Sequence, residues 1–292
     1  MLVFVTIAWG VNLSVIKVAL REFPSFTFNA LRLALASAAY LALVWRRPEP
    51  GAKRIARDDW PRVLVLGLVG GTLYQLLFMY GVSRTSVANT GLIFGASPVV
   101  ISLLAAAVGH EEVPWQRWAG GALSIAGLYL VVGSGAEVSH ESLLGDGVVT
   151  LSMLCWAVYS VASRPLLGRY SPLVLTAWAT VVGTVPYIGA ALPTLLATSW
   201  GRISAWSWSL MTASSLVCLV FAYAAWYTGV QRLGSTRTAA YSNLTPIAAM
   251  VTGWWWLAEG VSTGQLVGAS AILCGVFLTR LSPVVLAPLR PQ

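Results

Sequence analysis

The sequence predicts an all-α integral membrane protein in which ten transmembrane helices form two inverted five-helix repeats. Three observations lead there. The 292-residue chain is 57% hydrophobic and only 10% charged, with a mean hydropathy of +0.75, whereas a soluble domain needs roughly a quarter of its residues charged to cover its surface. Ten apolar runs are each long enough to cross a hydrocarbon layer of ~30 Å, which takes about 20 helical residues rising about 1.5 Å each. The stretch that begins at Gly81 recurs without gaps at Gly229.

Taken in order, the predicted spans are 2–20, 26–45, 62–82, 87–108, 116–133, 146–163, 172–196, 208–230, 236–257 and 264–281. They leave room only for short connections, so no soluble domain is expected. The first repeat is read as 1–134, an external connection as 135–145, the second repeat as 146–282 and a cytoplasmic tail as 283–292. The first span follows Met1 with no basic segment and no small-residue cleavage site, and is expected to be retained as a helix. With the N-terminus inside, the cytoplasmic connections hold thirteen Lys and Arg residues, against Arg21, Arg84 and Arg202 outside. Basic residues resist translocation, so both termini are predicted to be cytoplasmic. Trp45, Trp60, Trp115, Trp118, Trp200, Trp206 and Trp208 fall near helix ends, where an indole keeps its N–H wet and its ring buried. The net charge of +8 is spread thinly between apolar runs, which fits membrane orientation and not nucleic-acid binding. Cys155, Cys218 and Cys274 lie in separate apolar runs without a CxxC pair, so neither a disulfide framework nor a metal site is expected.

The repeat carries the most information. At an offset of 148, Gly81, Val82, Arg84, Thr90, Pro98, Glu111, Gly120 and Gly127 meet Gly229, Val230, Arg232, Thr238, Pro246, Glu259, Gly268 and Gly275. An offset of 147 sets Trp9 on Trp156 and Lys17 on Arg164. Five spans per copy is an odd number, so the second copy enters the membrane from the opposite side. Two similar halves inserted oppositely can exchange conformations and open a central site to each side in turn.

The paired stretches YGVSRTSVANTGLIFGASPVV and TGVQRLGSTRTAAYSNLTPIAAM, each followed by a Glu and a Gly-rich helix, resemble the two EamA domains of the drug/metabolite transporter superfamily. The resemblance covers nearly the whole chain and rests on the duplicated order more than on any one motif. It implies ten helices, cytoplasmic termini, a bacterial inner-membrane location and export of small metabolites. Within the superfamily the chain is most similar to amino-acid exporters, including the aromatic branch. No enzymatic activity and no cofactor are implied.

Pro98 and Pro246 sit mid-span and each removes the hydrogen bond to the carbonyl four residues back, at Phe94 and Ser242. A break at membrane depth is tolerated where it faces protein or a wet cavity, so the matched prolines are candidate hinges beside a central site; a plain kinked helix is the alternative. Trp9 and Trp156, with Asn12 and Tyr159 three residues on along the same faces, could hold an ammonium group or stack on an aromatic side chain; packing between helices is the alternative for each. Tyr74, Gln75 and Phe78 on the third span, Tyr223 and Tyr227 on the eighth, Asn89 on the fourth and Tyr241 on the ninth complete a predicted cavity that is aromatic and neutral. At most one of Trp254, Trp255 and Trp256 can face a pore.

All ten carboxylates are read as lying in connections or at span ends, with none at the midplane. A proton-coupled exporter of cations needs an embedded acid, so a facilitator is favoured. Glu111 and Glu259 are expected to sit at the positive ends of the fifth and tenth helices. Lys17 and Arg32 are the two charges inside spans. Arg32 is expected to snorkel to the outer interface, the sharper alternative being a bond to a substrate carboxylate or phosphate. Gly67 with Gly71, Gly91 with Gly95 and Gly264 with Gly268 allow close helix approach, and the face of Gly268 and Gly275 could form a homodimer contact. The turn Gly133-Ser134-Gly135 has no His or Asp placed to activate its serine. The expected partners are a small-molecule substrate, an amino acid or related metabolite, and the lipid bilayer. Rival readings are a multidrug or phosphorylated-metabolite carrier and, further off, a membrane enzyme or scaffold.

Overall fold

The computed structural model describes residues 1–46, 55–109, 115–133 and 140–280. Among them every regular element is helical. The runs are α1 (Leu2–Ala19), α2 (Ser25–Arg46), α3 (Arg57–Val82), α4 (Val87–Ala107), α5 (Trp115–Gly133), α6 (His140–Leu167), α7 (Pro172–Leu196) and α8 (Ala205–Leu233). Then come α9, which passes from Ser235–Ala239 through a 3₁₀ turn at Ala240–Asn243 into Leu244–Leu257, and α10 (Thr263–Arg280). Seven of them, α1 to α4 and α6 to α8, are long and apolar enough to cross a membrane. The runs start where the sequence supplies caps: Ser86, Ser171 and Ser204 each accept a hydrogen bond from the backbone N–H three residues on, satisfying a donor the first helical turn leaves open.

The buried interior is one large cluster rich in aromatic residues and a small second one at Leu92, Val99 and Ile272, and the outside is apolar as well. Phe4, Leu68, Val185, Phe221, Val251 and Phe277 are exposed, a surface that hydrocarbon solvates and water does not. Trp45, Trp115, Trp118 and Trp206 are exposed too. Trp254, Trp255 and Trp256 all lie on this outer surface, so none of the three faces an internal cavity.

Glycines set the closest approaches. A Cβ on Gly275 would lie 2.3 Å from Ser124 Oγ and 2.4 Å from the Gly120 carbonyl, and one on Gly127 would lie 2.7 Å from the Gly268 carbonyl. The face of α10 expected to serve a dimer is therefore filled by α5 of the same chain, because the paired glycines let the two backbones touch. Gly91 and Gly95 do the same for α4 against α9, where a Cβ would meet Ala249 and Pro246 at 2.4 and 2.6 Å.

Proline acts as expected at two places. α4 is interrupted at Ala96 between Gly95 and Ser97, just ahead of Pro98, and the 3₁₀ turn of α9 ends three residues before Pro246. Two further irregularities carry no proline: Gly67–Leu73 in α3 and Ser214–Phe221 in α8 wind as π-helical turns. At the 148 offset these segments coincide. In α8 the loosened carbonyls are taken up by side chains, the Trp9 indole N–H donating to Cys218 at 3.1 Å and the Tyr40 hydroxyl to Leu219 and Val220 at 2.8 Å. Side-chain insertion of this kind is what holds a widened turn open.

Three expectations need correction. Helix α6 begins at His140, six residues before the predicted start and inside the stretch read as a connection, because Asp146 is not a boundary. Its side chain is fully buried and bonded to the Thr85 hydroxyl and, at 2.8 Å, to the Asn89 amide. The statement that every carboxylate lies at a span end fails at this residue. Glu259 caps α4 and not α10, accepting from the Val87 and Ala88 N–H groups at 3.0 and 3.2 Å. His110, Glu111, Ser134 and the 283–292 tail lie outside the described residues.

Candidate functional site: a central aromatic cavity

Helix α1 aims Trp9 and Asn12 inward on one face, and the π-helical turns of α3 and α8 end just before Tyr74 and Ala222, so that Tyr74, Gln75 and Phe78 face Tyr223. Between them lies a cavity of about 70 Å³, room for several waters. Trp156 of α6 forms its most connected wall. Its ring centroid lies 5.5 Å from that of Trp9 at an interplanar angle of 88°, 5.4 Å from Tyr223 and 5.7 Å from Tyr74. The Trp9–Trp156 pair packs edge to face, whereas Tyr223 and Tyr74 are tilted against Trp156 at 49° and 40°. Phe94 and Ser242, the two residues whose carbonyls the prolines release, line the cavity as well.

Trp9, Asn12, Tyr74, Gln75, Phe78, Trp156 and Tyr223 line the cavity. Tyr159 and Tyr227 stand behind the wall, both buried, their rings 5.2 Å apart and packed on Trp156. Pro98 and Pro246 are buried at the helix breaks. Two predicted cavity residues are elsewhere. Asn89 is only three residues into α4 and is consumed there: it donates to Asp146 and its carbonyl oxygen accepts from the Gln265 amide at 2.6 Å. Tyr241 is 38% exposed and lines a separate cleft with Met1, Val3 and Arg232, because the 3₁₀ turn rotates it away from the centre.

Sequence reasoning also placed Arg32 wrongly. It is 2% exposed and lines the cavity, so it does not snorkel. Its Nη1 donates to Asn29 Oδ1 at 2.9 Å, the Asn29 amide donates to Gln75 Oε1 at 3.1 Å, and the Gln75 amide donates to the Tyr223 hydroxyl at 3.3 Å. Arg32 Nε has no partner. Asn29 and Arg32 are three apart, which puts two polar groups on one helix face, but that spacing does not say whether the face turns inward or outward. At the 147 offset Arg32 meets Ala179, so its charge has no counterpart in the second half.

Positions one offset apart meet repeatedly. Besides Trp9 with Trp156 and Gln75 with Tyr223, Ser37 and Thr184 share a hydrogen bond of 2.9 Å, and Ser124 donates to the Ile272 carbonyl at 3.4 Å.

Polar ties hold the two ends of the bundle. Glu22, between α1 and α2, accepts from the Ser204 N–H at 2.7 Å and from its hydroxyl at 3.0 Å, and these bonds hold its carboxyl below the usual range. At the opposite end Asp59 accepts from Arg169 at 2.7 Å and from the Tyr170 hydroxyl at 2.6 Å. Burial and the neighbouring carboxylate push the Tyr170 hydroxyl above its ordinary value.

A bundle of apolar helices, seven of them long and apolar enough to cross a membrane, around an internal cavity is the form of a multi-pass membrane protein. The EamA-like transporter family matches residues 1–133 and again 143–281. The chain belongs to that family. An uncharacterized transporter of Archaeoglobus fulgidus is 28% identical over 282 residues, 96% of each chain. A probable terminal-alkyne amino-acid exporter of Streptantibioticus cattleyicolor is also 28% identical over 282 residues, covering 95% of this chain and 91% of that one. A protein crystal structure at 20% identity superposes with a TM-score of 0.73 over 96% of both chains, which shows a shared fold.

Proposed function

We propose that the protein exports neutral and aromatic amino acids and related small metabolites across the inner membrane by alternating access through the central cavity. The observation that carries the reading is the aromatic wall around the Trp9–Trp156 contact, which can hold a planar side chain or an ammonium group by stacking and cation–π attraction. The amino-acid exporter named among the relatives supports the substrate class. Ten crossings in two inverted repeats are supported by the double family match and by the four contacts between equivalent positions. A residue touches its own equivalent only near the two-fold axis that relates the halves, and that axis is where a transporter of this design holds its substrate.

Neither Asp146 nor Glu259 lines the cavity, which favours a facilitator over a carrier that trades protons for substrate on a cavity acid. A phosphorylated-metabolite carrier calls for several cations around its site; among the described lining residues Arg32 is the one charged group.

The test is uptake of labelled phenylalanine, tryptophan, threonine and methionine into proteoliposomes, with and without an imposed pH gradient. Saturable uptake that ignores the gradient is expected, with Trp156→Ala slowing phenylalanine at least tenfold. Unchanged rates in both Trp9→Ala and Trp156→Ala, each inserted at normal levels, would remove the cavity from the pathway.

A further inference from the structure

We propose that Arg32 is the group that recognises a substrate carboxylate, so that the cavity selects monocarboxylates, free amino acids included, over amines and phosphate esters of the same shape. The inference deepens the export reading and takes from it only that the cavity is the substrate site.

The argument starts from where the charge is. Arg32 follows the start of α2 by seven residues, roughly 10 Å along the axis, and is 2% exposed. A guanidinium cannot shed its proton at any ordinary pH, so a cation is enclosed there. A buried cation without an anion is strongly unfavourable. None of the described residues that line the cavity with it is a carboxylate, and the Phe28 ring, 5.4 Å away, offers only a weak cation–π contact. Among the described residues the buried or bonded carboxylates are held elsewhere: Asp59 by Arg169, Glu22 by Ser204, Glu259 by α4, and Asp146 by Thr85 and Asn89.

The surroundings position this cation without neutralising it. Every bond from Arg32 through Asn29 and Gln75 to Tyr223 runs in one direction, donor to acceptor, away from the guanidinium. The chain uses one guanidinium N–H and leaves Nε without a partner. Ser215, in the π-helical turn of α8, donates to the Arg32 carbonyl at 2.7 Å and anchors the backbone beneath it. A planar fork, held in place and with an unused donor, suits the two oxygens of a carboxylate. One positive charge balances one carboxylate and leaves a phosphate dianion short. Trp9 and Trp156 line the same cavity and supply aromatic surface for the aryl or ammonium end of the same molecule.

The test uses the purified full-length chain and four ligands that share a phenyl ring: L-phenylalanine, 3-phenylpropionate, phenethylamine and phenyl phosphate. Binding is followed by quenching of tryptophan fluorescence, and uptake in proteoliposomes. In the wild type, phenylalanine and 3-phenylpropionate are expected to bind at least tenfold more tightly than phenethylamine, and more tightly than phenyl phosphate. This arm needs no variant. Arg32→Lys is expected to weaken both carboxylates about tenfold while leaving phenethylamine unchanged, and Arg32→Gln to erase the preference.

Equal binding of phenethylamine and phenylalanine, or an equal loss for all ligands in Arg32→Lys, overturns the assignment. Tighter binding of phenyl phosphate overturns it in favour of a phosphate site, and binding of none of the four overturns it outright. Uptake separates the two readings. Binding of 3-phenylpropionate that depends on Arg32, without uptake of any amino acid, leaves this inference standing and removes amino-acid export. Phenylalanine uptake indifferent to Arg32 does the reverse.

Discussion

Individual side chains carry the pH response that can be derived outside the membrane spans. Glu22 is held below its ordinary value by the two bonds from Ser204. A carboxylate with a depressed folded value contributes stability that is fully present above its unfolded value and is lost as pH falls through the folded one. The Glu22→Gln variant should therefore unfold at a lower temperature than the wild type at neutral pH, with the gap closing only in medium more acid than the usual carboxylate range. Thermal unfolding in detergent at stepped pH checks this, and a gap that closes near neutrality would contradict it. At the same scale, Trp9, Trp156, Gln75 and Tyr223 could be placed from the sequence because duplication marks equivalent positions and a central cavity must form around the axis between them. Arg32 could not: an arginine seven residues into a span satisfies lipid by reaching outward or by turning inward, and only the fold distinguishes them. Asn89 was misplaced for a related reason, since a polar residue in a span bonds to whichever buried partner comes first, here Asp146.

Among the elements, the helix runs were legible and their irregularities only partly so. Apolar length locates a crossing, and Pro98 and Pro246 announce breaks by removing a backbone donor. The π-helical turns of α3 and α8 leave no such mark, because widening one turn by a residue barely disturbs the apolar pattern; the carbonyls of the α8 turn are bonded by Trp9 and Tyr40 from distant helices. Asp146 misled in the other direction, since a charge looks like the end of a span until its partners are known. The contact of α5 with α10 yields a direct prediction. Gly275→Val would drive side-chain atoms into the Gly120 carbonyl and Ser124, and overpacking against backbone costs about 1–3 kcal/mol or more. A marked fall in unfolding temperature is expected, whereas Gly201→Ala, where a Cβ meets nothing within 4 Å, should be neutral.

At the level of the whole molecule, the excess of Lys and Arg on one set of connections predicts an orientation. A cysteine introduced at Arg202, at the Glu22 end, should react with a membrane-impermeant maleimide on intact cells. A cysteine at Arg57 should react only after lysis. The opposite pattern would reverse the topology while leaving the fold intact. The double family match was readable because duplication writes the same order twice. The glycines of α10 that read in the sequence as a candidate dimer contact pack against α5 of the same chain.

One asymmetry in this duplicated molecule has a kinetic consequence. Arg32 stands opposite Ala179 in the repeat; under the proposed alternating access, a solute fastened to the guanidinium as proposed would stay with one half while the other moves around it. The inward-facing and outward-facing stations are then not mirror images, and solute should half-saturate them at different concentrations. Microscopic reversibility forbids a passive carrier from favouring net flow at equal concentrations, so the maximal velocities in the two directions must differ by the same factor. Such a protein would concentrate nothing, yet it could remain nearly silent at low internal solute and discharge quickly when the cell overfills.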